Sequence, residues 1–520
     1  MFRILVLVFY FFLFSLPVKS QILPLEGSSL NYRIIGFSFP SPQKVSNYKL
    51  EIAAGHYNTE DSFRKNIIKT LSGINNKIIA EVPSFGSQYT WRAVYTGNHG
   101  QITNSALYHF ATGMIPNVDT SLFRLRVLKS AEKYKDALVF LDDNKVLYDM
   151  NGNPVWFLPP IDGVVMTPRD IKLSPQGTIT FLFNPPYEIN YDGDVLWKGP
   201  QKGIISKDYS ENCHHEFTRL ANGHYMVLGN EYLLWKQNAS FTTDDKTGTA
   251  FNDSSYKRTP FGTVIEYDET GNIVWSWRAS KYLMASDINY KPSQSNEVID
   301  AHENAFFFDE KNKMIYISFK NISRIIKVKY PEGTVMNNYG EIYKPGVPEM
   351  GNGFFCQQHA CNISQKGYLY LFNNNSCEAG ALPKIIMLQE PHSEKDSLKK
   401  VWEYECTIDG TTKQEWKNYR FISGGNVLEL PDQSIFACMN GTYSKIFIVS
   451  QEKKILWSAL AERWNEIEKR WDMSGQYRAY IIPDRKKIEQ LIWNTANKDL
   501  KTRMDVSRDE PHFSKTINKP

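Results

Sequence analysis

The sequence predicts an all-β protein: a six-bladed β-propeller preceded by a small immunoglobulin- or fibronectin-like β-sandwich. Three observations predict it. Aromatic residues make up 14% of the 520 residues, with 29 Tyr, 30 Phe and 12 Trp, a load that suits pleated, half-buried strands. A turn holding Asp and Gly, then a short β-branched strand, then Trp, recurs along the chain. Between its copies runs a second phrase, a strand, a turn around Gly and an apolar strand. Two hairpins per unit make a four-stranded sheet, and about six units span residues 125–490, the pattern of a propeller.

The first twenty residues come before any fold. Arg3 gives a positive start, Ile4 to Leu16 is an apolar run, and Val18-Lys19-Ser20 ends it. That pattern predicts a secretory signal over 1–20. No second long apolar run follows, so no membrane span is expected once the signal is cut. The expected destination is export, to a periplasm or outside the cell. Six Cys in an oxidising compartment permit disulfides whose pairing sequence alone does not give.

Residues 21–113 lack the recurring phrase. They hold alternating segments such as Tyr48-Lys49-Leu50-Glu51-Ile52 and Tyr89-Thr90-Trp91-Arg92-Ala93-Val94-Tyr95, the pattern of a small sandwich. Residues 114–495 form the propeller. The first phrase is clearest at Tyr148–Trp156, Asp192–Trp197 and Tyr267–Trp275, each a hairpin with turn chemistry from Asp and Gly. Weaker copies stand at Pro331–Val335, Lys399–Trp402 and Lys453–Trp457. The second phrase runs over 171–183, 217–228, 305–317, 360–371 and 427–438. The largest insertion is the polar stretch Trp235 to Pro260. Residues 459–471 are the best helix candidate, and residues 496–520 form a polar tail.

Net charge is +4, and no basic run interleaved with aromatics appears, so no nucleic acid is expected as a partner. There is no Gly-x4-Gly-Lys-Ser/Thr loop and no Gly-x-Ser-x-Gly elbow. His215-Glu216 and His302-Glu303 lack the second His that a zincin helix needs. Six Asn-x-Ser/Thr sites, at Asn238, Asn252, Asn321, Asn362, Asn374 and Asn440, are expected by chance in an Asn-rich chain.

The chemistry emerges when the units are compared at one place. Propeller blades bring the start of their innermost strand to a central channel. Arg169, His215 and His359 each lie eight residues before a turn glycine, Gly177, Gly223 and Gly367. His302 heads the matching strand with a longer turn after it. Three of the ten His, with one Arg, therefore share a register. Three imidazoles could hold a metal, with Cys213 adding a soft ligand. Arg169 and Lys320 oppose a cation and attract an anion instead. Imidazoles with fixed cations suit a sulfuryl or phosphoryl group, with one imidazole as nucleophile.

Those residues carry a resemblance. Cys213-His214-His215-Glu216-Phe217 with Leu220-Ala221-Asn222-Gly223, then His302-Glu303-Asn304 with Ile317-Ser318-Phe319-Lys320, then Gln358-His359-Ala360, and Tyr477-Arg478-Ala479 near the end resemble segments of the bacterial arylsulfate sulfotransferases. These enzymes use no sulfonucleotide. The resemblance covers most of residues 21–490 and implies a six-bladed propeller with an N-terminal sandwich. It also implies that His359 attacks the sulfur of an aryl sulfate, releases a phenol, and passes the sulfuryl group from a sulfohistidine to a phenolic acceptor. His215, His302, Asn304 and Lys320 would serve the sulfuryl oxygens, with Arg169 and Tyr477 binding substrate. No metal and no cofactor is implied, and a homodimer is compatible. The family has Arg where this chain has Lys320, which keeps the charge and loses the planar fork. Cys356 and Cys361 bracket His359, and either a disulfide between them shapes the site or both are packed thiols. Two other readings use the same residues: a metal-dependent hydrolase or lyase on the His cluster, and a non-catalytic propeller binding an anionic aryl or glycan ligand.

Overall fold

The computed structural model describes residues 22–495, apart from 43–44, 115–121, 209, 237–255, 284–286, 288–300, 341–352, 378–379, 394–395, 413, 419–423 and 442. The expected signal, the tail after 495 and most of the 235–260 insertion lie outside the described residues. The chain divides into two compact units, 1–113 and 114–520.

In the first unit, Ser28–Leu30, Tyr108–Thr112, Gln88–Gly97, Val45–Ala54 and Ile67–Gly73 form one sheet in that order, and Ile34–Ser38 pairs with Lys77–Glu81 in another. Alternation explains the core. Phe37 of the small sheet meets Trp91 of the large one edge-on at 5.1 Å, and both are fully buried.

The second unit is a succession of antiparallel sheets, which among the described residues have four strands each except the last, which has six. The second sheet is Arg169–Leu173, Ile179–Leu182, Tyr187–Ile189 and Val195–Lys198. The third is His214–Arg219, Tyr225–Lys236, Tyr256–Tyr267 and Ile273–Arg278. The fourth runs Glu303–Asp309, Met314–Phe319, Arg324–Lys329 and Val335–Gly340. The fifth runs His359–Ile363, Leu369–Asn373, Lys384–Gln389 and Lys399–Glu405. The sixth holds Asn426–Glu429, Ile435–Cys438, Lys445–Val449 and Ile455–Asn465. Leu138–Leu141, Val146–Asp149 and Pro154–Phe157 form the first sheet, and its fourth member comes from the far end of the chain, Ala479–Ile482. That strand also lies against Arg169–Leu173 and Ile435–Cys438.

The recurring Trp ties each sheet to another. The Trp156 indole N–H donates to the Tyr191 carbonyl in the second sheet (2.8 Å), and that of Trp275 to Pro331 in the fourth (2.7 Å). Trp402 reaches Gln451 in the sixth (2.8 Å), and Trp457 reaches Met150 in the first (2.9 Å). Trp197 stacks on Tyr225 of the third sheet at 3.9 Å. An indole buries a large apolar face and needs one acceptor, so one residue type at one position supplies both packing and a directional link.

Two expectations are corrected. Residues 459–471 are not helical. Ile455–Asn465 is a strand held by Lys445–Val449 on one side and by Phe123–Lys129 and Arg470–Met473 on the other. Its buried Glu462 is met by Arg124 at 2.6 Å and Arg126 at 2.8 Å, so pairing overrides helix-forming composition. An α-helix forms instead at Arg485–Thr495, begun by Asp484, whose carboxylate accepts the Lys487 N–H at 3.0 Å. It docks on the second sheet's turn, where a Cβ on Gly177 (φ +74°) would stand 2.7 Å from Gln490. The second correction is the disulfide. Cys356 bonds Cys377, and Cys361 is a buried free thiol.

Candidate active site

In four sheets the first strand begins with a bulge. Arg169 pairs with Leu182 but Lys172 with Thr180, leaving Asp170 and Ile171 opposite one residue. His214 pairs with Leu228 and Phe217 with Val227, so His215 and Glu216 have no opposite number. Asn304 and Ala360 are the extra residues in the fourth and fifth sheets. Bulges re-aim side chains at the rim of a sheet. Here they separate two layers. One holds the histidines. The other holds Asp170, Glu216 and Asn304.

The histidine layer draws residues from several sheets. The rings of His215 and His302 lie 5.0 Å apart between centroids, and those of His215 and His359 lie 6.1 Å apart. Tyr477, just before the strand Ala479–Ile482, has its ring 5.4 Å from His359 and 6.0 Å from His215. His359 Nε2 meets the Tyr477 hydroxyl at 3.0 Å. His215 Nδ1 meets His214 Nδ1 at 2.8 Å, so one of the two nitrogens carries the proton. His215 and His302 both have left-handed backbone, φ 60° and 57°, a conformation uncommon for residues with a side chain and concentrated at functional sites. By ladder position the fourth-sheet counterpart of Arg169, His215 and His359 is Glu303; His302 stands one residue ahead of it.

Lys320 follows the second strand of the fourth sheet and donates its backbone N–H to the His302 carbonyl at 2.9 Å. Its charge is near enough to His359 to oppose protonation of that ring. Arg169 is exposed, pairs with Asp143 at 2.8 Å, and lies over the Tyr477 ring at 4.8 Å. Asn304 is fully buried and faces protein: its amide donates to the Gln358 carbonyl at 2.7 Å. Gln358 in turn donates to Ser318 Oγ, the Phe319 carbonyl and the Arg324 carbonyl. Asn304 and Gln358 thus fix the strand that starts at His359 against the fourth sheet. The Cys356–Cys377 disulfide anchors the segment just before it.

Sequence reading passed over Arg478 as a site residue. It is buried, and its guanidinium bridges Asp170 at 2.8 Å and Glu216 at 2.5 Å while donating to the Asn304 carbonyl at 3.0 Å. Lys172 meets the same two carboxylates. Two anions and two cations form a neutral buried layer directly beneath the histidines. The signal was present, because Asp170 and Glu216 directly follow Arg169 and His215 in the shared register.

This layer sets the protonation of the histidines. Burial is the largest cause holding both His215 and His359 well below the ordinary imidazole value, and the Arg478 charge adds to it for each ring. His302 and Lys320 press His359 the same way, while the Gly425 backbone favours its proton. His359 is therefore neutral at physiological pH, with a lone pair to offer. Burial raises the Tyr477 phenol, so it is un-ionised. Burial and Glu211 push the Cys213 thiol up to about 12, which makes it a poor thiolate ligand. Among the described residues no group of three or more His, Cys, Asp or Glu is disposed to hold a metal ion.

Two cavities flank the layers. A cleft of about 350 Å³ is lined by Arg169, Phe183, His214, His215 and Tyr477. The other, about 310 Å³, is lined by Asp170, Lys172, Glu216, Arg478 and residues further along the same strands.

The arylsulfotransferase family model matches residues 125–419, more than half of the chain and all of the strands that carry the three histidines. The chain belongs to the arylsulfotransferase family. Membership makes this arylsulfotransferase a sulfotransferase enzyme whose substrates are aryl sulfates and phenols. No curated protein matches the sequence. Solved structures are similar only loosely. A Bacteroides caccae protein of unknown function is 12% identical over 67% of this chain and 98% of its own (TM-score 0.39). A putative 6-phosphogluconolactonase from Bacteroides fragilis is 11% identical over 85% and 99% (TM-score 0.27). The periplasmic gluconolactonase of Pseudomonas aeruginosa is 9% identical over 84% and 99% (TM-score 0.26). Among the described residues no helix is long and apolar enough to cross a membrane.

Proposed function

We propose that this arylsulfotransferase works by a ping-pong route through a sulfohistidine on His359, in a channel at the centre of six blades. The six consecutive sheets are read as those blades, and the first unit as an immunoglobulin- or fibronectin-like sandwich. The return of Ala479–Ile482 to the first sheet and the Trp links support that reading. The single observation that carries the mechanism is the convergence of His215, His302 and His359 from three different sheets.

An aryl sulfate enters the cleft and its sulfur meets His359 Nε2. The N–S bond forms as the S–O bond to the aryl oxygen breaks, and the phenolate leaves with the bonding pair. A neutral imidazole is the required nucleophile, and burial beside Arg478 and Lys320 keeps His359 in that form. His302, His215 and Lys320 face the oxygens of the transferring group, where fixed donors and cations act most strongly. A phenol then enters, its oxygen attacks sulfur, the N–S bond breaks, and the proton passes to a neighbouring imidazole. Phe183 and Leu182 give the cleft an apolar wall for an aromatic ring. Asn304 acts through Gln358 as a positioning residue, and Arg169 and Tyr477 meet the substrate at the cleft. Residues 1–20 are read as a signal for export.

The test is turnover of p-nitrophenyl sulfate with a phenol acceptor. Initial rates should give parallel double-reciprocal lines, and His359→Ala should release no nitrophenol while keeping its fold by circular dichroism. Full activity in that variant refutes the proposal, and loss of activity on chelation, restored by zinc or copper, would transfer the chemistry to a metal.

A further inference from the structure

We propose that Tyr477 is an internal phenol acceptor, which takes the sulfuryl group from His359 as a tyrosine sulfate and can return it. The proposal rests on the sulfohistidine reading above. The juxtaposition that carries it is the 3.0 Å contact between the Tyr477 hydroxyl and His359 Nε2. A hydrogen bond to a ring nitrogen runs along that nitrogen's lone pair. The same axis is the one along which an N–S bond forms, and along which an incoming phenol oxygen must attack sulfur in line. Tyr477 therefore presents the functional group of the acceptor class, on the axis of transfer, before any acceptor arrives.

A short swing of the ring about its fixed backbone would admit sulfur between the two atoms. Its backbone is pinned: the Tyr477 N–H donates to Asp143 at 2.6 Å, and its carbonyl accepts from Gly425 at 2.9 Å. Its ring lines the open cleft beneath Arg169, a cation suited to hold the sulfate ester once formed. His359, by contrast, is almost wholly buried, so a donor reaches Nε2 only by moving the Tyr477 hydroxyl aside.

The step balances. In sulfo-His359 the N–S bond breaks and its electron pair returns to Nε2. The Tyr477 oxygen forms the new O–S bond, and the phenolic proton is lost to water in the cleft. The product is itself an aryl sulfate, so the reverse reaction recharges His359, and an external phenol then discharges the pair.

The experiment incubates the full chain with p-nitrophenyl sulfate and no acceptor, removes the donor, and maps the added sulfuryl mass by electron-transfer fragmentation. The expected result is label on His359 early, on Tyr477 later, and loss of both when phenol is added. Tyr477→Phe should carry label on His359 alone, and His359→Ala on neither. Label confined to His359 at every time, in the unsubstituted chain, overturns this proposal and leaves the sulfohistidine standing. Label on neither residue overturns both.

Discussion

Replacing Arg478 with Gln removes one of the two cations in the buried layer. The Asp170 and Glu216 carboxylates, 2.8 and 2.5 Å from its guanidinium, are then left to Lys172. At an effective dielectric of about 20, one such pair at about 4 Å is worth about 4 kcal/mol. Breaking a buried pair from one side costs about 3–5 kcal/mol, because the orphaned charge stays buried. Chemical denaturation of Arg478→Gln followed by tryptophan fluorescence should show a loss of that size at about pH 8. The pH sense follows from the carboxyls. Burial already holds Glu216 above its ordinary value, and losing Arg478 raises both folded carboxyls relative to the unfolded value near 4, so the added instability grows as pH rises and shrinks toward about pH 5. Activity responds through the histidines. Arg478 is a cause of the low His359 pKa, so its loss moves the acid limb of phenol release to higher pH. Arg478→Lys keeps the charge without the fork and should fall between, losing about 1.5–3 kcal/mol. A Gln variant that unfolds within about 0.5 kcal/mol of the parent, as a surface change would, or whose acid limb stays in place, refutes the role given to this layer.

Other outcomes follow from the same geometry. The first half-reaction should hold its rate as pH falls through 6.5, the ordinary imidazole value, because folded His359 titrates well below it; stopped-flow nitrophenol release against pH checks this. The same depressed pKa makes folding stability complete above about 6.5 and progressively lost as pH falls below it, which His359→Ala should lessen in acid denaturation. Cys377→Ser should lower stability by about 3 kcal/mol, the loop-closure value for the 21-residue separation from Cys356, measured by urea denaturation without reductant. Lys320→Ala should reduce kcat/KM by roughly tenfold to a hundredfold, the worth of a charged hydrogen bond to the sulfuryl group, whereas Lys320→Arg should raise it.

Much of this was legible in the residues, for a physical reason. The recurring Trp marks one strand in five of the six sheets because it must span to another sheet; the fourth sheet's counterpart, Val335–Gly340, has none. The eight-residue interval from Arg169, His215 and His359 to a glycine is the length of a bulged strand plus its turn: the Ser174, Leu220 and Ser364 carbonyls each accept the N–H of that glycine. The rest depends on contacts that sequence order does not carry. The phase of His302 slipped because its strand, Glu303–Asp309, is longer than its counterparts and ends in a tighter turn. Ala479–Ile482 is four residues whose partner, Leu138–Leu141, lies at the other end of the unit. Composition favoured a helix at 459–471, where pairing on both edges imposed a strand. It hid the helix at Arg485–Thr495, although Ile488, Leu491 and Ile492 sit at the spacing of a buried helical face. Cys356 chose Cys377 over the nearer Cys361 because alternation turns Cys361 into the packed interior, toward the Tyr316 carbonyl.

The central claim is tested most directly by rapid-quench of the purified chain mixed with excess p-nitrophenyl sulfate and no acceptor. The account predicts a burst whose first nitrophenol per chain is matched by a sulfuryl group on a peptide containing His359. Steady release without a burst, or a sulfuryl group bound only at another residue, would contradict it.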